Sequence, residues 1–283
     1  MSQWITLSDG RRLVYHRRGR GPLVVCHPGG PGLSPAYFAD LAGLGEDYEL
    51  LLLEPRGTCD SERPADPGAY GIDDYVADLE ELRAQLGLER MRLLGHSHGG
   101  FVAIAYAAAF PGRVERLVLA NTAARLSGEE IDTAMQAALA RHAGEPWYAD
   151  ALKAMEDETD GHYQSDEELR DHLRRELPLY MGTYDDGKGA YLESIAEDLP
   201  NGDAIRAWNL SMPQFDLRPR LASIECPTLV LSAEYDFVTP VAAGRDLSAG
   251  IAGAAFHVID RCGHFSFVEA APEFRQVVGG FLA

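Results

Sequence analysis

The chain has 283 residues, 46% of them hydrophobic and 24% charged, with a formal net charge of −19. That length holds one domain with a large core plus an insertion. The negative balance excludes nucleic acid and anionic membrane surfaces as partners, and no run approaches the ~20 apolar residues of a membrane span.

The first ten residues lack a basic segment followed by an apolar run, so a cytoplasmic protein is expected. The four cysteines, Cys26, Cys59, Cys226 and Cys262, show no metal-ligand spacing and are expected as reduced thiols in or near the core. Gln3 to Leu7 and Arg12 to Arg17 flank Ser8-Asp9-Gly10, a hairpin signal. Leu23 to Cys26 reads as a short buried strand running into His27-Pro28-Gly29-Gly30-Pro31-Gly32, too rich in Gly and Pro for regular structure. Tyr48 to Leu53 is a second apolar run. Asp73 to Leu86 places Tyr75, Val76, Leu79, Leu82 and Leu86 on one helical face, with Asp74, Asp78, Glu81 and Arg83 off it.

Met91 to Leu94 then reads as a strand, and Phe101 to Phe110 as an Ala-rich helix closed by Pro111-Gly112. Between them stands Gly95-His96-Ser97-His98-Gly99. A serine flanked by glycines on a strand-to-helix turn is a nucleophile elbow, and the helix that follows points free N–H groups at a developing oxyanion. Leu117 to Ala120 is the next strand, and this rhythm means a parallel sheet with helices on both faces. From 124 to 216 no buried strand is found. This stretch is expected as a helical lid, set into a core of residues 1–123 and 217–283. It carries 21 Asp and Glu against 8 Lys and Arg, so most of the negative charge lies there. Strands resume at Thr228 to Ser232 and near Phe256 to Val258, and Phe274 to Leu282 closes the chain as an amphipathic helix.

A serine needs a base, and the base needs an orienting acid. His264, on the loop between the last strand and the last helix, fits the base. Asp236, just past a buried strand, fits the acid, with Glu234 flanking the site. The other position available to an acid, after the strand that follows the elbow, holds Asn121, which cannot serve. The backbone N–H groups of His98 and Gly30 are the expected oxyanion donors. This chemistry needs no metal and no cofactor.

Over nearly its whole length the chain resembles an α/β-hydrolase. Within that superfamily it is most similar to the prolyl aminopeptidase (proline iminopeptidase) family. The residues that carry the likeness are Pro28-Gly29-Gly30-Pro31-Gly32, the Arg56-Gly57 turn ending in Asp60-Ser61, the elbow at Ser97, and Asp236 and His264. The family loop reads His-Gly-Gly-Pro-Gly, whereas Pro28 stands here in register with its His and His27 precedes it. His96 and His98 replace the Gly and Trp usual in the peptidase elbow. The resemblance implies that lid carboxylates hold the substrate's free amino group, one of them after a tryptophan. Here Trp208 is followed by Asn209, so that anchor is either missing or supplied elsewhere, for instance by Glu193. The first expectation is a small peptide, amino-acid amide or arylamide substrate. An ester or lactone comes second, C–C bond hydrolysis or acyl transfer on the same residues third, and a ligand receptor built on a hydrolase shell last.

Overall fold

The computed structural model describes residues 2–283. The N-terminal hairpin pairs β1 (Ser2–Thr6) with β2 (Arg12–Gly19), Ser2 opposite His16 and Thr6 opposite Arg12. The chain continues through β3 (Leu23–His27), β4 (Glu49–Leu53), α1 (Ile72–Gln85), β5 (Met91–His96), α2 (His98–Ala109) and β6 (Val114–Ala120). After an insertion it resumes with β7 (Thr228–Ala233), α8 (Val241–Gly250), β8 (Ala255–Ile259), α9 (Ser266–Glu269) and α10 (Ala271–Leu282). The eight strands lie in the order β1-β2-β4-β3-β5-β6-β7-β8. β3 through β8 run parallel to one another, and β2 alone runs against the rest, antiparallel to both β1 and β4.

The apolar runs are continuous rather than alternating because both sheet faces are covered. α1 and α2 bury Tyr75, Leu79, Val102 and Tyr106 on one face. α10 buries Phe274, Val278 and Leu282 with Phe38 on the other. The loops that leave the C-terminal ends of β3, β5, β6, β7 and β8 converge along one edge, where open α/β sheets form their sites.

The face of α1 assigned to solvent is in part buried. Asp78 and Arg83 are 4% and 7% exposed. Asp78 accepts from Arg56 Nε at 2.8 Å and from Arg11 at 3.0 Å, and Arg83 bonds Glu80 at 2.7 Å. Periodicity could not show this, since the charge of Asp78 is admitted by arginines distant in sequence and that of Arg83 by a glutamate on its own helix. Cys26, Cys226 and Cys262 are buried, but Cys59 is exposed on the turn after Arg56-Gly57 and not in the core.

Between β6 and β7 the chain forms α3 (Glu129–Ala140), α4 (Tyr148–Thr159), α5 (Asp166–Glu176), α6 (Asp186–Ile195) and α7 (Gly202–Ser211). At the base of this insertion Arg125 and Asp216 form an isolated antiparallel bridge. No helix among the described residues is long and apolar enough to cross a membrane.

Candidate active site

Ser97 stands between β5 and α2 with φ 54° and ψ −124°, a conformation costly for a residue with a Cβ. The flanking glycines make it possible. A Cβ at Gly95 would lie 2.4 Å from the carbonyl oxygen of Gly99, and one at Gly99 would lie 2.2 Å from that of His27. Strand, turn and helix therefore approach more closely than any side chain permits. The helix begins at His98, three residues earlier than its apolar run suggests, so the first free amides of α2 sit beside Ser97.

His264 lies on the loop between β8 and α9 and Asp236 on the loop after β7. Both are buried, and His264 Nδ1 donates to Asp236 Oδ2 at 2.9 Å. The same oxygen accepts from Asn121 Nδ2 at 3.0 Å and Thr239 Oγ1 at 2.8 Å. Oδ1 accepts from the amides of Val238 at 2.9 Å and Thr239 at 3.0 Å. Burial would raise this carboxyl's pKa. The charge and hydrogen bond of His264, with the Thr239 amide and Asn121, outweigh it and hold the group below the usual carboxylate range. Asn121, set aside as an acid, thus orients one, and its own Oδ1 accepts from Ser266 at 2.7 Å. Glu234 does not flank the cavity. It is exposed and braces the loop by accepting from Arg261 N at 2.8 Å.

Ser97 and His264 line one cavity of about 510 Å³. Gly29 and Gly30 line it too, and a Cβ on Gly29 would come within 2.8 Å of Ser97 Cβ. The Gly29 amide is taken by Tyr37 Oη at 2.6 Å. The His98 side chain packs edge-on to Tyr75, Phe101 and Trp208. Burial, then nearby His27, lowers its pKa to about 3, so it is neutral.

The walls contributed by the insertion are mainly apolar, with Leu126, Met135, Leu139, Met155, Leu173 and Met212. Trp208 and Asn209 also line the cavity, but Glu193 does not. Its side chain is 71% exposed and pairs with Arg174 at 3.5 Å, because α6 turns that face to solvent. The carboxylates that do face the cavity were not singled out from sequence. They are Glu158 on α4, Glu176 at the end of α5, and Asp132 on α3, while no Lys or Arg lines it among the described residues. Asn209 Nδ2 donates to Glu158 Oε1 at 3.2 Å. Glu176 is 1% exposed. Its Oε1 accepts from Tyr180 Oη at 3.2 Å, and its Oε2 is buried with no partner. Burial, then the charge of Glu158, raises its pKa well above the ordinary value against the Tyr180 bond. It also stands at a helix C-terminus, where the dipole disfavours an anion. A faint signal existed: Glu176 directly precedes Leu177-Pro178-Leu179-Tyr180, a run apolar enough to be buried. Glu158 has none.

Comparison with known proteins agrees with this architecture. Residues 22–271 match the family described as alpha/beta hydrolase fold. The chain is 30% identical to "Proline iminopeptidase" of Lactobacillus helveticus (strain DPC 4571), covering 96% of this chain and 92% of that one. It is 27% identical to "2-hydroxy-6-oxononadienedioate/2-hydroxy-6-oxononatrienedioate hydrolase" of Klebsiella pneumoniae, covering 100% and 96%. The solved enol-lactonase of Burkholderia xenovorans LB400 superposes with a TM-score of 0.77 at 27% identity, covering 99% of both chains. With a matching family model over most of its length and an elbow, sheet order and converging loops to go with it, the chain belongs to the α/β-hydrolase fold family.

Proposed function

We propose that the protein is a serine hydrolase of small aminoacyl amides and short peptides with a free, protonated N-terminus, and that residues 124–216 act as its lid. The observation that carries the substrate class is the unpartnered Oε2 of buried Glu176, beside Glu158, in a cavity that no Lys or Arg lines among the described residues. An unpaired buried carboxylate is costly, and a bound ammonium group would satisfy it.

In this reading Ser97 Oγ attacks the scissile carbonyl carbon while His264 Nε2 takes its proton, Nδ1 being engaged by Asp236. The carbonyl oxygen becomes an oxyanion and receives the N–H groups of Gly30 and His98. Collapse breaks the C–N bond, and the imidazolium gives its proton to the leaving amine. Water, deprotonated by the same imidazole, then attacks the acyl-enzyme and releases the acid. Asp236 stays ionised and stabilises the imidazolium throughout.

The dienedioate named for the Klebsiella relative bears two carboxylates. Among the described residues this cavity offers no Lys or Arg to receive them, and its raised glutamate pKa values show that it disfavours negative charge. A neutral ester or lactone remains the second reading, favoured by the apolar walls and the likeness to the enol-lactonase. Proline p-nitroanilide, its N-acetyl derivative and p-nitrophenyl acetate separate the two, with Ser97→Ala as control. The amide reading expects cleavage of the free-amine arylamide, a loss of about 100-fold or more on acetylation, and no turnover by Ser97→Ala. Turnover of the ester with no arylamide cleavage overturns it.

A further inference from the structure

The proposed chemistry draws on three separate loops. Gly30 follows β3, Ser97 follows β5, and His264 follows β8, three strands away from β5. Sheet pairing fixes β3 against β5 but gives the loop after β8 no direct tie to either. A single file of hydrogen bonds supplies that tie. His96, the last residue of β5, is 1% exposed. Its Nε2 lies 3.0 Å from the backbone carbonyl oxygen of His264. A carbonyl only accepts, so Nε2 carries the hydrogen. Burial, then the neighbouring His264, pushes the His96 pKa down to about 3. The ring is therefore neutral and Nδ1 is a bare acceptor. Tyr37 Oη, 2.8 Å from Nδ1, must donate to it, and Tyr37 Oη in turn receives the Gly29 amide at 2.6 Å.

Every donor in the file thus points one way, from Gly29 through Tyr37 and His96 to His264. Neither end allows a reversal, since an amide nitrogen cannot accept nor a carbonyl donate. Phe38, Phe265 and Phe267 pack around the His96 ring and keep water from competing for its nitrogens. With the Gly29 amide consumed, the adjacent Gly30 amide is the one left to serve the oxyanion.

We infer that Tyr37 and His96 are positioning residues, which hold the oxyanion loop and the His264 loop at a set spacing on either side of Ser97. The inference rests on the hydrolase reading above. It is tested with Tyr37→Phe, His96→Phe and His96→Gln, assayed on whichever of the amide or ester substrates the wild type turns over and by the rate of fluorophosphonate labelling. Misplacing a reacting group by about 1 Å costs on the order of 100-fold. Tyr37→Phe should therefore lower kcat and the labelling rate by about 10- to 100-fold, with KM within about threefold. His96→Phe should lose at least as much. His96→Gln, whose amide can donate to the His264 carbonyl and accept from Tyr37, should recover about tenfold or more of the loss.

An active wild type with Tyr37→Phe within about twofold of it overturns the inference alone, as does equal damage in His96→Gln and His96→Phe. A wild type inert toward probe and substrates overturns the hydrolase reading and takes this inference with it. Should His96→Phe fail to fold, Tyr37→Phe and His96→Gln still decide the question. Tyr37→Phe removes one hydroxyl and leaves the ring packing in place.

Discussion

The backbone amide of His264 donates to the carbonyl oxygen of Tyr180 across 2.7 Å, so the loop that carries the imidazole is held by the insertion as well as by the sheet. The same corner is pinned by Glu269. Its Oε1 accepts from the amides of Gly263 at 2.8 Å and Gly182 at 3.0 Å, and its Oε2 pairs with Lys188 at 3.2 Å. A Cβ on Gly263 would stand 2.3 Å from the Tyr180 oxygen, so the two backbones meet with no side chain between them.

Removing that carboxylate leaves buried amides without an acceptor. Glu269→Ala is expected to destabilise the fold by about 1–3 kcal/mol. It should also lower kcat more than it raises KM, because the displaced group is the imidazole rather than the substrate site. Thermal melts and steady-state kinetics check this. A stable variant with wild-type kcat would show that the corner does not depend on Glu269.

Asp236 takes five hydrogen bonds and every partner is a donor. An amide in its place would turn an N–H group toward donors whichever way it flipped. Asp236→Asn should therefore lose about 10⁴-fold in kcat through the wrong imidazole tautomer, and stability as well. The lowered pKa of Asp236 sets the sign of the acid response. Its contribution to stability is present above the unfolded-state pKa and is lost as pH falls through the folded value. The asparagine variant should lack that component, and acid titrations of the two proteins read it directly.

Glu176 has the opposite sign. Its raised pKa means that the ionised form burdens the folded state. The stability it contributes is complete below the unfolded value, near 4.5, and is lost as pH rises through the folded one. Glu176→Gln should melt above wild type at neutral pH, with the gap closing toward pH 4.5. The same variant should lose about 10- to 100-fold in kcat/KM on a free-amine arylamide, while p-nitrophenyl acetate is little affected. The wild type should lose arylamide activity on acidification at a pH above the ordinary carboxylate range. Equal losses on both substrates would remove Glu176 from substrate recognition.

Much of this was legible from the chain because it is local. The elbow around Ser97, the apolar runs of the parallel strands and the Gly/Pro loop after β3 each declare themselves within a few residues. Asp236 and His264 followed from their order along the sheet. The acidic wall of the cavity did not, because Glu176 faces the cavity only through its burial among α4, α5 and the Tyr180 turn, and burial of a helical glutamate leaves no periodic trace. Glu193 misled for the same reason, since charge alone does not reveal which way α6 faces. Asn121 looked inert until its amide was seen to grip Asp236.

The pairing of Arg125 with Asp216 brings the two stems of the helical segment side by side, about 5 Å apart as neighbouring strands are. A stretch of chain whose ends already touch can be exchanged without moving the strands it leaves and rejoins. Such a swap must keep the Tyr180 turn, since its carbonyl and the Gly182 amide hold the loop that carries His264. The proposed lid thus joins the sheet at residues 125 and 216 and leans on the His264 loop at Tyr180, and a transplant that keeps this third contact is the direct route to new substrates.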